Sequence, residues 1–284
     1  MNKTAVIAGG GPAGLTCGIY LARAGWEVTI FDDEEHSTSA LSEAPLVENY
    51  PGFPGGIPGA ALLELMKDQA LENNILTRGE GIASVDSDRR TAIDTNGGNW
   101  RFDAFIMATG TVPRKLQFKT VPENAEIPIH TCALCDGGLY GKNDAVMVIG
   151  AGDTAFADGL YLSDLVGHVY LVARGDIFRA TNLKTVEKFK EAPNTEIIVN
   201  SVITTIRDLG DRTYDVELNN GERHILANGF FSCIGHSLKH VPISGEHKDR
   251  IWECGDCKGE DDRQAILAAA SGARTALDII RHMQ

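Results

Sequence analysis

The feature that most limits what this chain can fold into is a unit that occurs twice. Thr4 to Ala8 is a short apolar run, followed by Gly9, Gly11 and Gly14 in G-x-G-x-x-G spacing. An apolar stretch with helical spacing follows through Leu15, Ile19 and Leu21, stops at Gly25, and leads to a second apolar run, Val28 to Phe31. The same order returns at Val146 to Ile149, with Gly150, Gly152 and Ala155 at the three small-residue positions. Gly159-Leu160-Tyr161-Leu162 repeats Gly18-Ile19-Tyr20-Leu21, and Val169 to Val172 repeats Val28 to Phe31, all at one offset. Strand, glycine turn, helix and strand make a βαβ unit, whose parallel strands are buried on both faces. Any two such units share this outline, but a constant offset through all its parts marks a repeat.

Each part of the unit has a chemical use. The glycines let backbone approach a pyrophosphate, and the helix N-terminus offers free N–H groups. An acid at the end of the second strand, here Asp32, accepts from a ribose hydroxyl. The repeat therefore predicts two dinucleotide sites. In the second copy Ala173 stands where the first has Asp32, and Arg174 follows. Loss of the carboxylate and gain of an arginine suits a ribose bearing a 2′-phosphate, with Arg179 able to add to the same pocket.

Elsewhere the pattern is mostly β. Ile82–Val85, Thr91–Asp94, Phe102–Met107, Ile197–Val199, Val202–Ile206, Val216–Leu218 and Gly229–Cys233 read as strands, and Gln264–Ile280 as a helix. Prolines at Pro113 and Pro242 mark boundaries. The 284 residues suit two compact domains or one large one. With 26 Lys and Arg against 39 Asp and Glu, the formal net charge is −13, which disfavours nucleic acid and anionic membranes as partners. No apolar run reaches the roughly 20 residues of a membrane helix, and no leader pattern is present, so a cytoplasmic protein is expected.

Four of the six cysteines form C-x-x-C pairs, Cys132–Cys135 and Cys254–Cys257. Such pairs mean redox chemistry, metal ligation or merely small buried residues. Asp136, next to the first pair, can carry the proton that thiol–disulfide exchange needs. A zinc site needs four ligands and the second pair could supply two more, but each pair lies beside a nucleotide motif, which disfavours that reading.

The whole chain resembles the low-molecular-weight thioredoxin reductase family. Gly9-Gly10-Gly11-Pro12-Ala13-Gly14 is similar to its FAD pyrophosphate loop, and Glu48-Asn49-Tyr50-Pro51-Gly52-Phe53 to its flavin-facing segment. Ala108-Thr109-Gly110 matches the strand end that returns to the FAD domain, and Cys132-Ala133-Leu134-Cys135-Asp136-Gly137 the redox motif. Ile234-Gly235-His236-Ser237, Gly255-Asp256 and Arg263-Gln264-Ala265 match the C-terminal half of the flavin site. The resemblance implies an α/β fold of two Rossmann-like dinucleotide-binding domains of three-layer ββα type, the second inserted into the first. Residues 1–112 and 243–284 would hold FAD, and 113–242 would hold NADPH and carry the redox pair. It implies FAD contacts from Gly9, Gly11, Pro12, Ala13, Gly14, Asp32, Asn49, Thr109, Gly110, Gly255, Asp256, Arg263, Gln264 and Ala265. For NADPH it implies Gly150, Gly152, Asp153, Thr154, Arg174 and Arg179. Electrons would pass from NADPH through FAD and the disulfide to thioredoxin or a similar dithiol protein. Cys135 would face the flavin, Cys132 would attack the partner, Asp136 would be the acid–base, and the enzyme would be a homodimer.

The chain also departs from that family. Thr38-Ser39-Ala40-Leu41 stands where Gly-Gly-Gln-Leu is usual, and Ala173-Arg174-Gly175 where His-Arg-Arg is usual. Cys254 and Cys257 flank Gly255-Asp256, and small buried residues are the leading reading of that pair. The altered arginine motif keeps open a ferredoxin-linked disulfide reductase, and two further alternatives stand beside it: a dithiol oxidase using oxygen and an FAD-binding redox sensor. The retained Cys132, Cys135 and Asp136 disfavour the sensor, which needs no proton carrier.

Overall fold

The computed structural model describes residues 3–33, 39–259 and 263–283. The chain forms two compact units, one of Met1–Val112 with Ser237–Gln284 and one of Pro113–His236, so the second is inserted into the first.

In the first unit five parallel strands lie in the order Ile251–Glu253, Ala104–Met107, Thr4–Ala8, Glu27–Phe31, Leu76–Arg78. Strand alternation assigns the two faces. Ala5 and Ile7 pack with Leu15, Leu62, Met66 and Ile279 on the side of the helices Pro12–Arg23, Gly59–Glu72 and Ala265–His282. Val6 and Ala8 pack with Phe31, Phe105, Val85 and Ala92 on the other side. There lies a four-stranded sheet ordered Ile243–Ser244, Ile82–Asp86, Thr91–Asp94, Asn99–Arg101. A strand covered on both faces has no polar position to spare, which is why Ala5–Ala8 reads apolar throughout.

The second unit repeats this plan. Its parallel sheet is ordered Ile129–His130, Gly229–Ser232, Ala145–Ile149, His168–Val172, Thr195–Ile198. Val146 and Val148 face the helix side with Phe156 and Phe189, whereas Met147 and Ile149 face Ile206 and Val216. The latter two belong to a sheet ordered Arg223–Ala227, Tyr214–Leu218, Ile203–Asp208, Lys119–Val121. Each unit is thus three layers: helices, parallel sheet and a mainly antiparallel sheet.

The strand expected from Phe102 begins at Ala104, and the expected C-terminal helix runs Ala265–His282. The helices Gly59–Glu72, Ala133–Asp136 and Leu183–Glu191 are not announced by the sequence pattern. The second unit ends at His236 rather than at residue 242. Val241 is buried beside Val6 and Phe31, and Val85 N–H donates to Pro242 O at 2.9 Å, so these residues belong to the first unit.

Candidate functional site

Both glycine loops adopt one geometry. Gly9 has φ +114° and Gly150 φ +150°, conformations that L side chains rarely adopt. A Cβ on Gly9 would sit 2.2 Å from Ala108 O, and one on Gly150 would sit 2.3 Å from Cys233 O, each at the end of the neighbouring strand. The next glycines are different. Among the described residues a Cβ on Gly11 would meet only Ser39 Oγ, at 3.5 Å, and one on Gly152 would meet nothing within 4 Å. Gly11 and Gly152 are N-caps of the helices Pro12–Arg23 and Asp153–Leu165, and neither helix start has a side-chain cap. Open space over an uncapped helix start is the arrangement that receives a phosphate.

Around the first loop the predicted residues gather within one unit. Gly10 N–H donates to Asp32 Oδ1 at 2.9 Å, so the carboxylate that ends the second strand also shapes the loop. Gly255 N–H donates to Ser271 Oγ at 3.0 Å, and a Cβ on Gly255 would strike Ala13 Cβ at 2.6 Å, which seats Gly255-Asp256 on the start of the first helix. The last helix crosses there too closely for any Cβ on Gly272, which would lie 2.1 Å from Ala13 O. Asn49 Nδ2 donates to Gln264 Oε1 at 2.7 Å, and Thr109 Oγ1 donates to Lys239 O. Arg263 Nε is buried without a hydrogen-bond partner among the described residues. An open Gly11, an uncapped helix and an orphaned buried guanidinium nitrogen fit an anionic dinucleotide. Thr38 lies outside the described residues.

The second loop is arranged otherwise beyond its glycines. Asp153 Oδ1 accepts from Thr181 N–H at 2.7 Å and Asn182 N–H at 2.9 Å, and Oδ2 accepts from Thr181 Oγ1 at 2.8 Å. This carboxylate holds the segment that follows Arg179, and Arg179 N–H donates to Ala151 O at 2.8 Å. Arg179 is thereby fixed beside the glycine turn. Arg174 is exposed just beyond the strand His168–Val172, Thr154 is exposed, and Ala173 is fully buried.

Cys132 and Cys135 form a disulfide with Cα atoms 5.3 Å apart. Cys132 is the N-cap of the short helix Ala133–Asp136, and its Sγ accepts from Cys135 N–H at 3.1 Å. Cys132 is 6% exposed, while Cys135 is the exposed member. Asp136 ends this helix, and its Oδ2 lies 2.9 Å from His130 Nδ1. His130 Nε2 lies 2.8 Å from Tyr140 Oη. No motif spacing in the sequence singles out His130 or Tyr140.

Cys254 and Cys257 are fully buried, as small packed residues are. The neighbouring Cys17 thiol and burial push the Cys254 thiol well up, and burial pushes that of Cys257 up to about 11. Cys257 Sγ donates to Met107 O and Cys254 O at 3.3 and 3.2 Å. Among the described residues no group of three or more His, Cys, Asp or Glu side chains is placed to hold a metal. No helix among them is long and apolar enough to cross a membrane.

Two dinucleotide cradles on paired ββα units, with a C-x-x-C disulfide in the inserted one, define a disulfide oxidoreductase architecture. The family of pyridine nucleotide-disulphide oxidoreductases matches residues 3–248. The thioredoxin reductase of Spironucleus barkhanus is 33% identical, over 97% of this chain and 97% of that protein. The bifunctional thioredoxin reductase/thioredoxin of Mycobacterium leprae is 31% identical over 97% of this chain but 65% of its own length. In fold, the crystal structure of Lactococcus lactis thioredoxin reductase superposes with TM-score 0.87 at 23% identity, covering 99% of each chain. This chain belongs to the pyridine nucleotide-disulphide oxidoreductases, among the thioredoxin reductases.

Proposed function

We propose that the chain carries electrons from NADPH, through FAD held by the first unit, to the Cys132–Cys135 disulfide and on to thioredoxin. The observation that carries this reading is the disulfide itself, beside Asp136, in the unit that also bears the second glycine loop. When bound, FAD supplies a carrier that accepts two electrons from the nicotinamide and passes them to the disulfide. In the first unit Gly9, Gly11, Gly14, Asp32, Asp256 and Arg263 would hold it; in the second, Gly152, Arg174 and Arg179 would hold NADPH.

The chain's own chemistry is thiol exchange. With the pair reduced, Cys132 thiolate attacks one sulfur of the partner disulfide, forming a mixed disulfide and expelling the other partner sulfur as thiolate, which takes a proton from Asp136. Cys135 then gives up its thiol proton and attacks Cys132 Sγ, restoring the internal disulfide, and the second partner sulfur leaves as a thiolate that takes up that proton. The Cys135 N–H that donates to Cys132 Sγ favours Cys132 as the thiolate. In the oxidised pair Cys135 is the exposed member, so attack by Cys132 requires the pair to open. The thioredoxin fused to the reductase in the Mycobacterium leprae relative supports thioredoxin as the partner class.

The test is NADPH-driven reduction of thioredoxin by the purified flavinated protein, followed through free thiols. Catalytic turnover that vanishes in both Cys132→Ser and Cys135→Ser is expected. Wild-type flavin that NADPH reduces without any thiol appearing on thioredoxin overturns the reading.

A further inference from the structure

His130 sits in a setting built for one orientation. It is the last residue of the edge strand Ile129–His130, paired in parallel register with Phe231 of Gly229–Ser232. Its ring stacks on Phe231 with centroids 5.0 Å apart and meets Tyr140 edge-on at 5.6 Å. Only 13% of the side chain is exposed, against 39% for Asp136. Both ring nitrogens are occupied, Nδ1 by Asp136 Oδ2 and Nε2 by Tyr140 Oη. Tyr140 is itself clamped, with the Arg212 guanidinium 5.1 Å above its ring and the Arg212 side chain donating to Leu139 O at 3.0 Å.

We propose that His130 is a positioning residue for thiol–disulfide exchange, acting through Asp136. The proposal rests on the reading of Asp136 as the acid–base. A carboxylate only accepts, so facing ionised Asp136 the imidazole must carry its proton on Nδ1 and donate to Oδ2. In a neutral ring that leaves Nε2 as the acceptor of the Tyr140 hydroxyl. Burial holds the Tyr140 phenol above its ordinary range, against the opposing pull of Arg212, so the tyrosine keeps the hydrogen it donates. The chain of bonds thus runs from Tyr140 through His130 to Asp136. It holds one carboxylate oxygen in place and leaves Oδ1 to exchange a proton with sulfur. As the partner thiolate leaves, Asp136 passes it the carboxyl proton and becomes the carboxylate that the Nδ1–H stabilises. Among the described residues, Arg212 and Tyr214 are the charged or titrating groups besides Asp136 that act on Tyr140.

The test measures how fast the reduced holoenzyme reduces thioredoxin disulfide as a function of pH, in the wild type and in His130→Phe, His130→Gln, Tyr140→Phe and Asp136→Asn. Phenylalanine keeps the stack on Phe231 but donates nothing. His130→Phe is expected to slow the step about 10-fold or more, part of the roughly 10²–10⁴ that a positioned acid–base supplies. The pH profile of the step should be displaced from that of the wild type, since the donor facing the Asp136 carboxyl is gone. His130→Gln, which still offers an N–H, should recover part of both effects, and Tyr140→Phe should show the same displacement more weakly. Adding His130→Phe to Asp136→Asn should cost nothing further, because both act on one carboxyl. A His130→Phe rate reduced equally at every pH means a purely structural role and overturns the proposal. Full activity in His130→Phe with an inactive Asp136→Asn also overturns it while leaving the acid–base reading intact. An Asp136→Asn enzyme with the wild-type profile overturns the acid–base reading itself. If His130→Phe does not fold, an undisplaced profile in Tyr140→Phe decides against the proposal.

Discussion

The side-chain amide of Asn49 donates to Gln264 Oε1 at 2.7 Å, joining a loop early in the chain to the N-cap of its last helix. Both residues belong to the segments proposed to border the flavin. Losing either partner should loosen that border without unfolding the unit. A neutral hydrogen bond contributes about 0.5–1.5 kcal/mol, so Asn49→Ala or Gln264→Ala should weaken FAD retention roughly 2- to 10-fold. Flavin fluorescence released on dilution measures this. The double variant should lose little more than either single one, and additive losses would mean that the two act separately.

The two glycines of the first loop should fail in different ways. Gly9→Ala drives a Cβ to 2.2 Å from Ala108 O at φ +114° and should prevent stable folding. Among the described residues a Cβ at Gly11 would meet only the Ser39 hydroxyl, at 3.5 Å, so Gly11→Val should fold with a near-normal far-UV spectrum yet purify colourless. A yellow Gly11→Val protein would remove the first loop from the flavin site.

The same contrast explains what the sequence reveals and what it hides. Thr4–Ala8 and Ala145–Ile149 are legible because both faces of each strand are covered, so no polar residue interrupts them. The glycine turns are legible because backbone geometry excludes other residues there. Gly59–Glu72 is hidden because it follows a proline- and glycine-rich stretch and only one side of it meets the core. Asp153 looks like a cofactor contact by position, yet its carboxylate is engaged by Thr181 and Asn182, which local spacing does not show. His130 is invisible for a similar reason. It becomes chemically interesting only because parallel pairing with Phe231 holds its ring between Asp136 and Tyr140.

The roles within the redox pair are separable by trapping. With thioredoxin lacking its resolving cysteine, the Cys135→Ser enzyme should accumulate a mixed disulfide through Cys132. Cys132→Ser should accumulate little. Non-reducing gels after reduction and mixing measure the adduct, and the opposite pattern would exchange the two roles.

The buried Cys257 thiol gives stability a pH dependence of known sign. Its folded-state value of about 11 lies above the ordinary 9.0, so between these pH values the unfolded chain releases a proton that the folded chain keeps. Stability attributable to this group is intact below pH 9 and falls as pH rises toward 11, by about 1.4 kcal/mol per pH unit at most. Urea unfolding at pH 8, 9.5 and 10.5 should therefore show a steeper loss in the wild type than in Cys257→Ala. Parallel curves for the two proteins would mean that the thiol ionises as readily folded as unfolded.

Donor choice turns on Arg174. In the second unit Ala173 is buried and Gly175 has no side chain, so recognition of a 2′-phosphate at the end of His168–Val172 falls to Arg174, with Arg179 tied to Ala151 nearby. A guanidinium recognises phosphate through charge-assisted hydrogen bonds, and exposure to water places this one at the low end of their range. Arg174→Ala should raise the NADPH Michaelis constant about tenfold while leaving that for NADH nearly unchanged, because NADH has no 2′-phosphate to lose. Arg179→Ala should show the same asymmetry more weakly. Equal losses for both nucleotides would mean that Arg174 supports the loop rather than reads the phosphate. An anaerobic titration of the wild type fixes the frame for these variants: NADPH should bleach the flavin. Flavin left oxidised by both nucleotides but bleached by reduced ferredoxin would overturn the NADPH assignment and leave Gly150–Gly152 as a turn that shapes the fold without holding the donor.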